Sequence, residues 1–522
     1  MKSAAGMYSM FEDERHSFLL RARDCSKLTL PMLIPDEGST SATKFPVPFQ
    51  GLGARGVNHL AASLLMSLLP PNQPFFRLML DQEAVRQIGE GDIKAEIDAT
   101  LSSIERSVMQ EIESLAIRPV VFEALKHLIV GGNALLHLDK DRLRVYHLDQ
   151  YTVKRDPSGN ILHIVIKETV APIALPEEAL AALGEDCDCD SMEETVDIYT
   201  CVHASDNDRF EAYQEVGGVI LESTRGYYTK SNLPWFALRM NRIDGESYGR
   251  GYVEEYLGDL KSLEGLTQAI VEGSAAAAKV LMLVNPNGLT NPESLARSPN
   301  GAIVEGVATD VTVLQVPKQA DFSIAFQTIN SITERLSYAF LLAESTIRNA
   351  ERVTAEEVRL TTAAVERQLG GIYSILSQEF QLPLIRRLMG VMQKAKRLPK
   401  VPEEYVKPLI ITGVDALGRG NDLQKLDTFL VGLQQILGPE AVMQYVDVRE
   451  YLTRRAAALG LDTEGLVKSE EELAQAKQQA MMQNMATQLG PAAINQVGRA
   501  VTEGAVDPAA LSQVMNQMSG RS

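Results

Sequence analysis

The sequence is poor in the features that mark several common protein classes. Among 522 residues there are only four cysteines and one tryptophan. The cysteines are Cys25, Cys187, Cys189 and Cys201. They are too few and too unevenly placed for a disulfide framework, so we expect a reducing compartment. The N-terminal residues show no charged region followed by an apolar one, and no signal peptide is expected.

Long apolar runs are also missing. The best one covers residues 275–284 and is interrupted by Lys279. It stays short of the ~18 residues that a membrane-spanning helix needs. We therefore expect a protein that does not cross or bind a membrane.

The chain lacks an excess of basic residues. Lys and Arg number 50 against 68 Asp and Glu, for a net charge of −18 and a pI near 5.0. A conventional DNA-binding surface shows the opposite balance. We therefore expect no extended nucleic-acid-binding surface. An acidic surface can still lie next to DNA and repel it.

No motif of a known catalytic site is present. There is no Walker sequence, no His-Glu-x-x-His and no nucleophile elbow, and the seven histidines are scattered. The glycines of residues 51–56 lack the Gly-Lys-Ser/Thr ending of a phosphate loop, which favours a tight turn before a packed helix. We expect no enzyme activity and no cofactor, and we assign no catalytic, cofactor-binding or metal residues.

One set of residues leaves a metal site open as an alternative. Cys187, Cys189, Cys201 and His203 could supply four zinc ligands. The spacing is unusual, and aspartates interleave the first pair. The pattern favours an exposed loop beside an ordinary strand.

The N-terminal half mixes helical and strand patterns. Hydrophobic residues make up 45% of the chain, enough for a sizeable core. Helical segments are predicted at 7–35, from within 50–60 through Leu69, at about 82–116 and at 119–132. Period-two alternation then predicts strands in 134–170 and 195–240, with an acidic exposed loop at 177–194 between them.

Two further helices bracket a small insertion. The first, about 252–283, has bulky residues in its first half and the small residues Gly273 to Ala278 in its second half. The insertion, 285–321, has turn signals at Asn285–Gly288 and at residues 298–301. A second helix is predicted at 322–346. Small side chains let helices approach closely, which suits either a crowded ring of helices or an Ala-rich helix buried in a monomer.

The longest helical pattern runs over residues 351–397. Thr354 is a suitable N-cap, and Glu357 lies three residues later, as a capping box requires. Only Pro383 interrupts the pattern, where a kink is expected. The span of about 60 Å exceeds what a small domain needs. The alternative is a kinked internal helix of a large α-rich protein.

Several sequence stretches, in the order in which these elements occur, are specific enough to indicate a protein family. They include Gly53-Ala-Arg-Gly-Val-Asn58, Asp244-Gly-Glu-Ser-Tyr-Gly-Arg250 and Leu369-Gly-Gly-Ile-Tyr-Ser-Ile-Leu-Ser-Gln378, with residues 29–35, 122–136, 254–260, 318–322 and 351–359. In this order, over about residues 10–465, the chain resembles the portal, or head-to-tail connector, proteins of short-tailed podovirus phages. The Cys187–Cys189 pair and the tail after 470 lie outside the resemblance.

The resemblance implies an α+β, mostly helical portal fold of wing, stem, clip and crown that forms a ring with a central channel. The implied division of the chain follows. It is wing 1–250, first stem helix 251–284, clip 285–321, second stem helix 322–344, tunnel loop 345–353, long wing and crown helix 354–397, crown 398–485, and C-terminal tail or barrel 486–522.

The resemblance also implies a function. Twelve copies would form a ring at one capsid vertex, whose channel passes double-stranded DNA during genome packaging and ejection. The ring would dock the terminase motor, then the tail adaptor, and nucleate head assembly with scaffold, major capsid and internal core proteins. The protein would be assembled in the host cytoplasm and reside in the virion. The alternatives are another virion structural or scaffold component, or an unrecognised metal-dependent enzyme.

Candidate site residues follow from that placement. Basic rings that hold DNA in the channel would come from Lys279, Arg335, Arg348 and Arg352. An ordinary intersubunit salt bridge is an equal or better explanation for Arg335 and Arg352, with Glu344, Glu351 and Glu356 as partners. Docking at the clip would involve Asn285, Pro286, Gly288 and Lys318. The sequence leaves open the ring symmetry, the host, the lumen-facing side chains and the order of the C-terminal tail.

Overall fold

The computed structural model describes most of the N-terminal four-fifths of the chain. Described residues are 3–40, 42–71, 74–80, 92–140, 142–183, 195–205, 209–277, 281–314, 319–342, 369–399, 406–410, 428–436 and 451. The chain divides into two units, residues 1–416 and 417–522. In the second unit residues 428–436 are helical. The elements below belong to the first.

The first unit is an α+β structure. Its helices are α1 Ala4–Lys27, α2 Leu52–Leu68, α3 Asp92–Ser114, α4 Ile117–Gly131, α5 Glu177–Leu183, α6 Tyr252–Glu255, α7 Leu257–Ala277, α8 Pro292–Arg297, α9 Gln319–Ala339 and α10 Leu382–Lys394. Its strands are β1 Phe76–Leu80, β2 Asn133–Leu138, β3 Leu143–Tyr146, β4 Tyr151–Arg155, β5 Ile161–Val170, β6 Val196–Ser205, β7 Arg209–Val216, β8 Val219–Thr229, β9 Trp235–Arg239, β10 Leu281–Val284, β11 Val311–Leu314 and β12 Val406–Ile410.

Within the described ranges the strands form four antiparallel sheets. The largest is a meander in the order β4-β5-β6-β7-β8, and a smaller one has the order β3-β2-β9. The pairs β1-β12 and β10-β11 complete the set. In β5 the neighbours Ile164 and Val165 are both fully buried. They face opposite sides because strand side chains alternate, so the large sheet is covered on both faces at this point.

Helix α4 lies at the centre of the main core. It packs against α1, α2 and β2, and its residues from Ala124 to Gly131 are buried apart from Lys126. The helix ends at Gly132, whose φ of 76° favours glycine. A Cβ at this position would lie 2.4 Å from the carbonyl carbon of Arg250. Asn133 then exchanges two hydrogen bonds of 2.7 Å with the backbone of Gly249.

These contacts explain two of the sequence stretches described above. The segments 122–136 and 244–250 lie far apart in the chain and meet at the end of α4. Glycine in the first segment lets the backbone of the second approach. Gly53, in the first turn of helix α2, has a similar role, since a Cβ there would lie 2.5 Å from the carbonyl oxygen of Leu28.

Three helix boundaries differ from the sequence expectation. The first stem helix ends at Ala277 instead of 283, because residues 281–284 pair with β11. The second stem helix starts at Gln319 and ends at Ala339, shortly before Leu341, which has a φ of 59°. Residues 177–183, expected in a loop, form α5, with Glu177 and Glu178 in its first turn, where the helix dipole favours negative charge.

The long helix is described from residue 369 onward. Residues 351–368, including its predicted N-cap and capping box, lie outside the described residues. Near Pro383, where we expected a kink, the chain widens into a π turn, Ser377–Gln381, and then continues as α10. Such a turn re-routes the backbone bonds that proline disrupts. Within it, the Gln381 side-chain amide donates to the carbonyl of Leu68 at 2.7 Å.

The strand β12 was expected in the crown. It pairs instead with β1, from Phe76 opposite Ile410 to Leu80 opposite Val406. Residues 406–410 therefore complete a sheet of the first unit. A five-residue strand after a helix gives no indication in the sequence of which strand it pairs with.

Candidate DNA-conducting stem and docking clip

The two stem helices α7 and α9 pack against each other over part of their length. Leu260 and Leu263 of α7 are buried, as are Ile332 and Leu336 of α9. Further along, a Cβ at Gly273 would lie 2.7 Å from the ring of Phe322. This glycine therefore serves a close helix–helix contact inside one subunit.

The second half of α7 is largely exposed. Ser274, Ala275 and Ala276 are exposed to solvent. The alternative prediction, an Ala-rich helix buried in a monomer, therefore does not hold for these three residues. On α9, Ile324 and Phe326 are 65% and 60% exposed. Apolar and small side chains thus cover a surface that the described residues leave open, which is typical of a contact surface.

The stem helices carry more acid than base. The two helices contain five acidic residues and only two basic ones. The acidic residues are Asp259, Glu264, Glu272, Asp321 and Glu334, and the basic residues are Lys261 and Arg335. Glu264 has a structural task, since its carboxylate accepts hydrogen bonds from the backbone N–H groups of Phe49 and Gln50 at 2.9 and 3.2 Å. The preceding segment is thereby fixed to the stem.

Arg335 is the one predicted channel residue that the described residues include. Its guanidinium donates to the Asp259 carboxylate at 2.8 Å and remains 60% exposed. Asp259 lies on the other stem helix of the same chain, whereas the sequence suggested a salt bridge between neighbouring subunits. Lys279, Arg348 and Arg352 lie outside the described residues.

The clip is a small hydrogen-bonded structure built on the strand pair β10-β11. Asn285 begins its first turn: its N–H donates to the Asp310 carbonyl at 2.9 Å, and its own carbonyl accepts from Gly288 at 3.0 Å. Asn285 and Pro286 are exposed, and Gly288 is half-buried. Lys318 lies outside the described residues.

Asp310 and Thr290 hold the interior of the clip together. The Asp310 carboxylate accepts from the N–H of Leu289 at 2.9 Å and from the Thr290 hydroxyl at 3.1 Å. A Cβ at Gly288 would lie 2.5 Å from the Asp310 carboxyl carbon. Sequence reasoning missed this pair because the two residues are 20 positions apart, with nothing in the pattern to join them.

Apolar side chains of the clip point outward. Leu289 is 87% exposed, Ile303 is fully exposed, and Leu283 is also exposed. None of the described residues 281–314 belongs to a hydrophobic core cluster. Hydrogen bonds therefore maintain this segment, and its apolar side chains are left exposed by the described residues.

The alternative zinc site gains no support from its described members. Cys201 is a free thiol buried among apolar residues on β6, and burial raises its pKa to about 11. His203 lies two residues further, with Nε2 3.5 Å from the Glu211 carboxylate. Cys187 and Cys189 lie outside the described residues.

The described residues combine an α+β body with a helical pair and a β insertion that carries exposed apolar side chains. The sequence profile of the family "Bacteriophage head to tail connecting protein" matches residues 1–467. The chain belongs to this family.

Individual relatives agree with the family. The portal protein of Escherichia phage T7 is 40% identical over 501 residues, covering 94% of this chain and 93% of the relative. That of Enterobacteria phage T3 is 41% identical over 490 residues, covering 92% and 90%. That of Enterobacteria phage SP6 is 29% identical over 506 residues, covering 94% and 96%. These are head–tail connector proteins rather than enzymes, and the chain is a portal protein of this structural class.

Solved structures add little to that assignment. The neck of an empty gene transfer agent particle, computed with C6 symmetry, has a TM-score of 0.39 at 12% identity, covering 79% of this chain and 90% of its own. A similarity of this size carries no argument. Separately, none of the helices in the described ranges is long and apolar enough to cross a membrane.

Proposed function

We propose that twelve copies of this portal subunit close into a ring at one capsid vertex, around a channel for double-stranded DNA. The exposed apolar and small side chains of the stem, including Ile324 and Phe326, carry this proposal. A single chain leaves them in water, whereas neighbouring stems in a ring would cover them. In this arrangement residues 1–250 form the wing, the helices α7 and α9 the stem, residues 285–321 the clip, and 345–353 the tunnel loop.

The charge of the stem suits a conduit. DNA carries about one negative charge per 1.7 Å of duplex axis. The acidic excess of α7 and α9 keeps a moving duplex from adhering. Basic side chains at Lys279, Arg348 and Arg352 each become a ring when repeated around the axis, and such rings hold DNA when motion stops. Arg335 contributes less, because Asp259 already neutralises it.

The clip is the docking surface for the packaging motor and then for the tail adaptor. Its outward side chains Leu289 and Ile303 provide the apolar centre that a stable interface requires. Asn285 and Pro286 lie at the exposed first turn of the same structure. The powering ATPase belongs to the terminase, and this chain serves as conduit and docking ring.

The remaining assignments follow from the vertex position. The ring assembles in the host cytoplasm, nucleates the head together with scaffold, major capsid and internal core proteins, and stays in the virion. Residues 398–485 extend it into the head as the crown, and residues 486–522 continue it as a helical tail or barrel.

End-on electron micrographs of the purified protein test the ring, with Phe326→Asp as the disruptive variant. We expect closed rings from the unaltered protein and smaller species from the variant, because a charge would be buried between stems. Glu293→Gln, on the exposed face of α8, serves as the control and should leave rings intact. Rings that persist unchanged in Phe326→Asp would refute the proposed stem contact.

A further inference from the structure

Three side chains with metal-binding chemistry meet on the surface of the main core, away from the stem and the clip. Glu123 and His127 lie one turn apart on α4, and His147 follows the end of β3. One ligand atom from each lies within 4.8 Å of the other two.

His127 is the unusual member. It is only 1% exposed, and its Nε2 atom has no hydrogen-bond partner in the structure. A buried polar atom without a partner costs on the order of 1–3 kcal/mol. Burial also lowers the pKa of His127 to about 3, so the ring is in the neutral form that ligates metals. An ion bound at Nε2 would remove this cost.

His147 and Glu123 complete the arrangement from the solvent side. The His147 ring is half-buried, with its centroid 4.5 Å from that of His127 and its plane tilted by 58°. The backbone N–H of His147 donates to the Gln150 side chain at 3.0 Å, which fixes the start of the turn. Glu123 is exposed to solvent.

We propose that Glu123, His127 and His147 bind one Zn2+ ion, with water in the fourth position. Two imidazoles and a carboxylate form a typical zinc ligand set, with metal–ligand distances of about 2.0–2.2 Å. The three ligand atoms, which lie within 4.8 Å of one another, would move closer by side-chain rotation to reach these distances. The ion joins α4 to the loop after β3 and stabilises the wing core, since it binds the folded protein and not the unfolded chain.

The full-length protein, stripped with EDTA and titrated with Co2+ as a spectroscopic substitute for zinc, tests the site. We expect one Co2+ per chain, with the visible absorption of a tetrahedral ion, and a rise in melting temperature on adding Zn2+. Glu123→Gln and His147→Ala, both at accessible positions, should each weaken binding by at least about tenfold.

Two control variants separate this site from other zinc-binding side chains. His163→Ala removes one ring of the other histidine pair, His163 and His203, whose centroids are 6.1 Å apart, and should bind Co2+ normally. The double variant Cys187→Ser, Cys189→Ser should also retain the site. An unaltered protein that binds no Co2+, or equal binding by Glu123→Gln, His147→Ala and the unaltered protein, would overturn the proposal; the second result would mean an adventitious ion only.

Discussion

Glu379, in the π turn of the long helix, accepts three hydrogen bonds from Arg239 at the end of β9, donated by its backbone N–H, its Nε and its Nη2. The Arg239 backbone N–H donates to one carboxylate oxygen at 3.0 Å, and its Nε donates to the other at 3.1 Å. The Arg239 side chain is 3% exposed. The ion pair therefore fixes the long helix to the wing core at the point where its backbone departs from α geometry.

Glu379→Gln should destabilise the first unit strongly. The change leaves a buried guanidinium without its counter-charge, a loss of about 3–5 kcal/mol in comparable buried pairs. Denaturant unfolding followed by circular dichroism measures the effect. Glu293→Gln breaks the exposed pair with Arg297 and should change stability by less than about 1 kcal/mol. Equal unfolding midpoints for both variants would contradict this role of the ion pair.

Gly288→Ala should loosen the clip without unfolding the wing. The added Cβ would lie 2.5 Å from the Asp310 carboxyl carbon and push that carboxylate away from Leu289 and Thr290. Hydrogen exchange should then be faster at the Leu289 and Thr290 amides, and binding of the packaging ATPase should weaken. Gly258→Ala is the matched control, since a Cβ there meets nothing within 4 Å. Unaltered exchange in Gly288→Ala would show that the clip does not depend on Asp310.

His137 should make stability fall in mild acid. Burial lowers its pKa to about 4, and its ring stacks on Trp235 at 4.7 Å. In the unfolded chain the pKa of His137 is about 6.5. Between pH 6.5 and pH 4 unfolding therefore takes up a proton at His137. The free energy of unfolding falls over this range by at most about 3 kcal/mol. Unfolding midpoints of His137→Gln should fall less over this range. His127 is present in both proteins, so their difference isolates His137; identical pH profiles would contradict the prediction.

Arg348→Ala should alter the retention of packaged DNA and leave ring assembly intact. The positive charge, repeated around the channel, would be lost as a whole ring, and its contribution to holding DNA depends on salt. DNA retained in filled heads, measured at low and high salt, reports the effect. Arg297→Ala, at an exposed clip position, is the control. Packaging and retention equal to those of the unaltered protein would remove Arg348 from the channel residues.

The sequence predicted the larger elements because their periodicity is strong. Strands between 134 and 239 and the apolar helix α4 appeared near their expected positions. The packed helix at the glycines of residues 51–56 was also expected, since they lack a phosphate-loop ending, and α2 begins at Leu52 with Gly53 and Gly56 inside it. Local patterns such as these need no knowledge of the partner element.

Contacts between distant residues could not be read in the same way. The pairing of β12 with β1, the ion pair of Arg239 with Glu379 and the Asp310–Thr290 hydrogen bonds join residues that sequence spacing does not relate. The stem helix ended early for the same reason, because residues 281–284 are apolar enough for either structure and β11 decides between them. The Glu123–His127 spacing on one helix was visible, but His147 joins them only through the fold.

The mass and end-on appearance of the purified protein test the central claim most directly. The account predicts closed rings with an open channel, at about twelve times the 57.2 kDa of one chain, seen by native mass spectrometry and electron microscopy. A protein that stays at the mass of a single chain at high concentration, and in cells that also make the capsid, would contradict it.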